Sequence, residues 1–112
     1  MNSGERRAAR HYRLRGWRVL DANVRVGRNE LDLVVRRGRR LVFVEVKEKR
    51  GDGYGSPLEM VDAEKLRRVR LAAGGWLAAH PELEGLDVGL EVVGVSPGRL
   101  ERFLLPDEER AP

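Results

Sequence analysis

Cysteine is absent from the 112 residues, which excludes a disulfide framework and any thiolate metal site. Histidine occurs only as His11 and His80, at unrelated positions that offer no metal-binding pair. No apolar run is long enough to span a bilayer, and the N-terminus has no signal-like apolar stretch, so the expected compartment is the cytoplasm, with no membrane partner. Internal repeats are also lacking. What remains is a chain of one expected domain, residues 1–105, followed by an acidic tail, 106–112, expected to be poorly ordered. A domain of this size can hold a core of its own, yet a partner chain would help it, which leaves a homodimer open.

Charge is plentiful and uneven. The net value of +4 conceals 19 Lys/Arg against 10 Asp/Glu in residues 1–70, and 3 against 8 in residues 71–112. A basic segment enclosing a few acids suits a nucleic-acid enzyme, with arginines on the backbone and carboxylates on a metal. The competing reading is a solvated, arginine-rich surface.

Those acids lie in NELDLVVRRGRRLVFVEVK, Asn29 to Lys47. From Glu30 to Val35 the residues alternate, placing Leu31, Leu33 and Val35 on one face and Glu30, Asp32 and Val34 on the other. Leu41 to Val46 is apolar on both faces, as in a central strand, where Glu45 and Lys47 are costly unless paired, hydrogen-bonded or metal-bound. A Gly38-Arg39 loop gives a type II′ hairpin that pairs Asp32 with Glu45 and Glu30 with Lys47. A loop at Arg37-Gly38 slides the pairing by two but keeps Asp32, Glu45 and Lys47 on one face. Two facing carboxylates fit a hard divalent cation, Mg²⁺ or Mn²⁺, with the lysine where a phosphate would arrive. A cross-strand salt bridge is the plainer alternative.

Around this hairpin the chain reads in order. Asn2 and Glu5 have capping-box spacing ahead of a helix from Ser3 to Arg15. Glu5, Ala8, Ala9 and Tyr12 share its inward face, while Arg6, Arg7, Arg10 and Arg13 occupy much of the rest. Glu5 there is either a cap or an extra ligand aimed at the sheet. Trp17 to Val26 reads as a first strand, with Asp21 and Asn23 toward solvent or the strand end. The loop after Lys47 carries Lys49, Arg50 and Tyr54 beside the hairpin, placed to contact substrate; Tyr54 either stacks on a base or simply packs. Asp62 caps a second helix with Leu66, Val69, Ala73 and Trp76 inward and Lys65 and Arg68 around it. Its Gly74-Gly75 pair marks close packing or a bend. Leu86 to Val95 is a fourth strand, parallel to the third through a helical crossover, and Arg99 to Leu105 a fifth at the edge. The order α-β-β-β-α-β-β gives an α/β fold with a mixed sheet of four to five strands and two main helices.

The segments GERRAARHYRLRGWRVLDANVR, NELDLVV, LVFVEVKEKR, GSPLEMVDAEKLRRVRLAA and DVGLEVVGV resemble the YraN family of small bacterial proteins, in its order and spacing, across roughly Ser3 to Val95. Asn29 stands where that family usually has glycine, and Lys49 where it usually has arginine. The family is similar to the restriction-endonuclease-like PD-(D/E)xK nucleases and, among them, the archaeal Holliday junction resolvases. The resemblance implies a restriction-endonuclease-like sheet, Asp32 and Glu45 as ligands for Mg²⁺ or Mn²⁺, Lys47 as the catalytic lysine and Glu5 as an accessory acid. Lys47 is then an electrostatic stabiliser rather than a general base, because neighbouring carboxylates hold an ammonium in its charged form. The expected activity is a metal-dependent endonuclease on DNA, branched DNA included. Arg6, Arg10, Arg13, Lys49, Arg50, Tyr54, Lys65 and Arg68 are the expected nucleic-acid contacts. The alternatives are a non-catalytic nucleic-acid-binding protein that keeps the fold, and a structural role in which the trio is only a salt bridge.

Overall fold

The computed structural model describes residues 1–49 and 61–105, so the expectations for Arg50, Tyr54 and the 106–112 tail lie outside the described residues. The chain runs α1 (Ser3–Arg13), β1 (Arg18–Val26), β2 (Asn29–Arg37), β3 (Arg40–Glu48), α2 (Ala63–Ala78), β4 (Asp87–Ser96) and β5 (Arg99–Leu105), with a 3-10 turn at Pro81–Leu83. The five strands form one sheet in chain order. Only β3 and β4 are parallel; the other neighbours are antiparallel. A mixed α/β sheet with two helices is therefore the fold, in the order that patterning predicts.

The helices cover opposite faces. Ala8, Ala9 and Tyr12 of α1 pack with Leu33, Val35 and Val44 in one core, and Val69, Ala72 and Trp76 of α2 pack with Leu31, Val34 and Phe43 in the other. Covering both faces explains why β3 is apolar throughout Leu41 to Val44. Both helices begin with side-chain caps: Asn2 accepts from the Glu5 N–H at 2.8 Å, and Asp62 from the Lys65 N–H at 2.8 Å.

One element departs from simple alternation. Leu31 lies two residues from Leu33, yet it packs under α2 while Leu33 packs under α1. The expected common face of Leu31, Leu33 and Val35 is thus corrected. The switch lies beside an irregular stretch of β1, which carries a bulge between Val19 and Asp21 and a left-handed residue, Asn23, at φ 47°. The β1–β2 register passes from Ala22↔Leu33 to Val24↔Leu31 and leaves Asn23 and Asp32 between them outside the ladder. Bulges and positive φ at a non-glycine residue gather where a sheet re-aims a side chain.

The glycine pair in α2 divides in role. A Cβ on Gly75 would meet Val26 Cγ1 at 2.6 Å, whereas one on Gly74 would meet nothing within 4 Å. Gly75 lets α2 lie close on β1. We expect Gly74→Ala to stabilise the fold by roughly 1 kcal/mol through helix propensity. Gly75→Ala gains the same term but overpacks the interface, at a cost of about 1–3 kcal/mol. Urea midpoints of the two variants check this; the reverse ranking would mean that α2 does not press on Val26.

Candidate functional site

Hairpin β2–β3 turns at Gly38-Arg39, with Arg37 paired to Arg40 and Gly38 at φ 62°. That is the type II′ register, and by extension it sets Asp32 opposite Glu45. The paired ladder, however, runs only to Leu33↔Val44. Beyond it the Val46 N–H donates to Asp32 Oδ2 at 2.8 Å. A carboxylate has taken the place of a strand carbonyl, so Asp32 lies where the two strands cease to pair.

Two ammoniums then converge on Glu45, which is 4% exposed. Lys47 Nζ, two residues along β3, stands 3.7 Å from Glu45 Oε2. Lys65 Nζ, from the first turn of α2, stands 3.5 Å from the same oxygen. The Asp62 cap fixes that turn, and with it the root of Lys65. Lys65 is therefore part of the carboxylate site itself rather than only a surface contact.

Burial, followed by the charge of Glu45, pushes the Asp32 carboxyl from its ordinary 3.8 up to about 7; the Val46 N–H and Lys65 oppose the rise, while Glu5 adds to it. Asp32 is thus short of positive charge. Among the described residues no three of His, Cys, Asp and Glu close into a metal cage. The available donors are two hard carboxylates, which fits the habit of Mg²⁺ or Mn²⁺ of binding through one or two carboxylates and keeping its other positions for water and phosphate. Asp32 and Glu45 are the residues that could hold such an ion.

Glu5 fills the capping role. Its Oε1 accepts from the Asn2 N–H at 3.1 Å, closing the capping box, and from Asn23 Nδ2 at 2.9 Å. Glu5 is thereby cap and neighbour of Asp32 together. Asn23 is the residue that sequence reasoning missed, having been expected toward solvent or the strand end. The only available signal was its tolerance of positive φ, which a strand assignment conceals. Asp21, read in the same way, accepts instead from Trp76 Nε1 at 2.9 Å.

The expected nucleic-acid contacts fall in separate places. Arg6, Arg10 and Arg13 are exposed along α1, and Arg68 is exposed on α2 beside Glu64. Arg7 is committed elsewhere, donating to the Ser96 and Arg99 carbonyls at 2.8 and 3.2 Å. Lys49 is half-buried, its N–H bound to the Val95 carbonyl at 2.7 Å.

A further buried acid stands on β4. Glu91 Oε1 accepts from the Tyr12 hydroxyl, and its two oxygens accept from Arg102 Nε and Nη2 at 2.9 and 3.1 Å. The Arg102 guanidinium also lies 4.6 Å from the Tyr12 ring centroid. Burial, then the bond to Glu91, push the Tyr12 phenol well above its ordinary range. This network is internally satisfied, and it ties α1, which carries Glu5, to the sheet.

Comparison with known proteins adds a family. The model for "Uncharacterised protein family UPF0102" matches residues 4–97. A UPF0102 protein of Clavibacter michiganensis is 45% identical over 92 residues, covering 82% of this chain and 77% of its own. One from Frankia casuarinae is 47% identical over 93 residues, covering 83% and 78%. One from Rhodococcus jostii is 50% identical over 97 residues, covering 84% and 82%. Among the described residues no helix is long and apolar enough to cross a membrane.

Proposed function

The chain belongs to the uncharacterised protein family UPF0102, and from that premise we propose that it is an endonuclease dependent on Mg²⁺ or Mn²⁺ that acts on DNA, branched DNA included. The observation that carries this reading is the interrupted sheet at Asp32: two carboxylates and two ammoniums meet where β2 and β3 stop pairing. A purely structural ion pair does not require a broken ladder, a left-handed asparagine and a carboxyl raised to about 7 at one point.

Asp32 and Glu45 would hold the cation, which when bound supplies a polarised water and charge stabilisation at the attacked phosphate. The Val46 N–H fixes Asp32 Oδ2 and so presents the carboxylate in one orientation. Lys47 and Lys65 bring two positive charges to Glu45. With a phosphodiester in place, Lys47 is the group that meets developing negative charge. Glu5, held by Asn2 and Asn23, stands by as the accessory acid. Substrate is held by exposed arginines, since phosphate contacts are sequence-independent and suit a structure-selective enzyme.

A second reading keeps the fold and the binding without cleavage, and one observation favours it: Glu45 already has two ammonium partners and so does not require a metal for its charge. The deciding experiment is a cleavage screen of linear, flapped and four-way DNA, and of RNA, with Mg²⁺ or Mn²⁺. A divalent-dependent cut that Asp32→Asn removes supports the nuclease; binding with no cut under either metal supports the second reading.

Arg6, Arg10 and Arg13 changed together to Gln should weaken binding across all sequences. Every phosphate that is no longer neutralised lowers the slope of log K against log salt by roughly 0.9 on duplex DNA. Arg7 is left out because its guanidinium holds β4 and β5. An unchanged slope in a filter-binding series would place the nucleic acid away from α1.

A further inference from the structure

Arg25, Arg28, Lys65 and Arg68, with Asn29 and Glu30, line a cleft of about 180 Å³ between the β1–β2 turn and the first turns of α2. Two of these four cations have carboxylate partners, Lys65 with Glu45 and Arg68 with Glu64. Arg25 and Arg28 have no ion-pair partner among the described residues. Such a concentration of positive charge is explained if an anion completes it.

Lys65 links the cleft to the carboxylate site: it lines the cleft, and its Nζ stands 3.5 Å from Glu45 Oε2. Its location follows from the fold. The turn joining β1 to β2 lies at the same end of the sheet as the C-terminal end of β3 and the start of α2. Arg25, Arg28 and Arg68 are exposed and come from two elements, the β1–β2 hairpin and α2. Exposed guanidiniums drawn from separate elements can each take a phosphate of one backbone, as sequence-independent phosphate contacts do.

We infer that this cleft is a second nucleic-acid contact, seating the backbone phosphates of the strand next to the one attacked, with Arg25 and Arg28 as its principal donors. The inference deepens the nuclease reading and rests on it for the identity of the polymer. It makes α2 and the β1–β2 turn the binding surface nearest the carboxylates, on the opposite side of the sheet from the arginines of α1. Neither Arg25 nor Arg28 is marked by sequence alone, since each sits in an arginine-rich segment with many equivalents.

The test is binding without metal, so that no cleavage is needed. A labelled duplex and a labelled single strand are titrated across a salt series with the parent, with R25Q/R28Q, and with R18Q/R40Q. The last pair removes the same charge at the far end of the sheet, where β1 and β3 begin. We expect R25Q/R28Q to lower the slope of log K against log salt by about 1.8 on duplex or 1.4 on single-stranded DNA. R18Q/R40Q should match the parent. Equal losses in the two variants would mean diffuse charge and overturn the inference; so would an unchanged slope in R25Q/R28Q, or a parent that binds neither strand form. A fourth arm adds inorganic phosphate: if phosphate raises the parent's melting temperature but polynucleotide does not, the cleft takes a small anion and the inference fails. The nuclease reading fails separately, when the parent binds with the expected slopes yet cuts nothing with Mg²⁺ or Mn²⁺. The substituted side chains are exposed, so thermal melts should stay near the parent's and folding should not confuse the comparison.

Discussion

Lys47→Met is expected to slow cleavage by about 10² to 10³, or roughly 3 to 4 kcal/mol, while DNA affinity and metal affinity stay near the parent's. Lys47 follows Glu45 by two on β3, and its ammonium lies 3.7 Å from Glu45 Oε2. A charge in that position interacts more strongly as negative charge grows on the attacked phosphate than it does with the ground state, so its loss falls on the rate rather than on binding. The fold should tolerate the change. Methionine keeps much of the stem, the side chain is already 28% exposed, and Lys65 remains on Glu45 after Lys47 has gone. Single-turnover cleavage against anisotropy titration separates rate from affinity. A parent that cuts and a variant that cuts equally fast would reduce Lys47 to a salt-bridge partner. If the loss is small, Lys65→Met in the same background should complete it, because Lys65 reaches the same oxygen from α2.

Asp32→Asn should make the metal-free protein more stable near pH 8, by a few kcal/mol. The Asp32 carboxyl is raised from 3.8 to about 7, which at about 1.4 kcal/mol per unit sets a ceiling of roughly 4 kcal/mol. The direction follows from linkage. The folded chain holds the Asp32 proton to higher pH than the unfolded chain does, so stability is greatest below pH 4 on this account, falls as pH rises toward 7, and is flat above it. The amide oxygen of the substituted side chain can still accept from the Val46 N–H, so the variant loses the charge and keeps the bond. Parent and variant should therefore differ at pH 8 and converge near pH 4. Added Mg²⁺ or Mn²⁺ should raise the parent's melting temperature at pH 8 and leave the variant's nearly unchanged. A stability gain independent of pH, or an equal metal response in both, would sink the assignment of Asp32 as a ligand.

Much of this architecture was legible because the signals are local. The capping box at Asn2 and Glu5, the Gly38-Arg39 turn and the cap at Asp62 each act within a few residues, and they set where those elements begin and turn. The carboxylates of Asp32 and Glu45 and the ammonium of Lys47 stood out because charge is rare in strands apolar on both faces. The switch of Leu31 to the α2 side was not legible. Alternation presumes an unbroken ladder, and the interruption lies opposite Asn23 on a neighbouring strand, whose left-handed backbone shows only once β1 and β2 are paired.

Glu45 and Glu91 mark the boundary most clearly. Each is a glutamate inside an apolar strand, VFVEV and GLEVV, and each is buried. By itself the sequence determined that these two carboxylates would be costly to bury and would require partners. Only the tertiary structure decided which partners they found: Tyr12 and Arg102 close around Glu91 and bind both its oxygens, whereas Glu45 shares one oxygen with two lysines beside the raised carboxyl of Asp32. The cost of burying a charge depends on the residue and its strand, but its compensation depends on helices and strands that arrive from distant parts of the chain, and no local pattern encodes which of them will be neighbours.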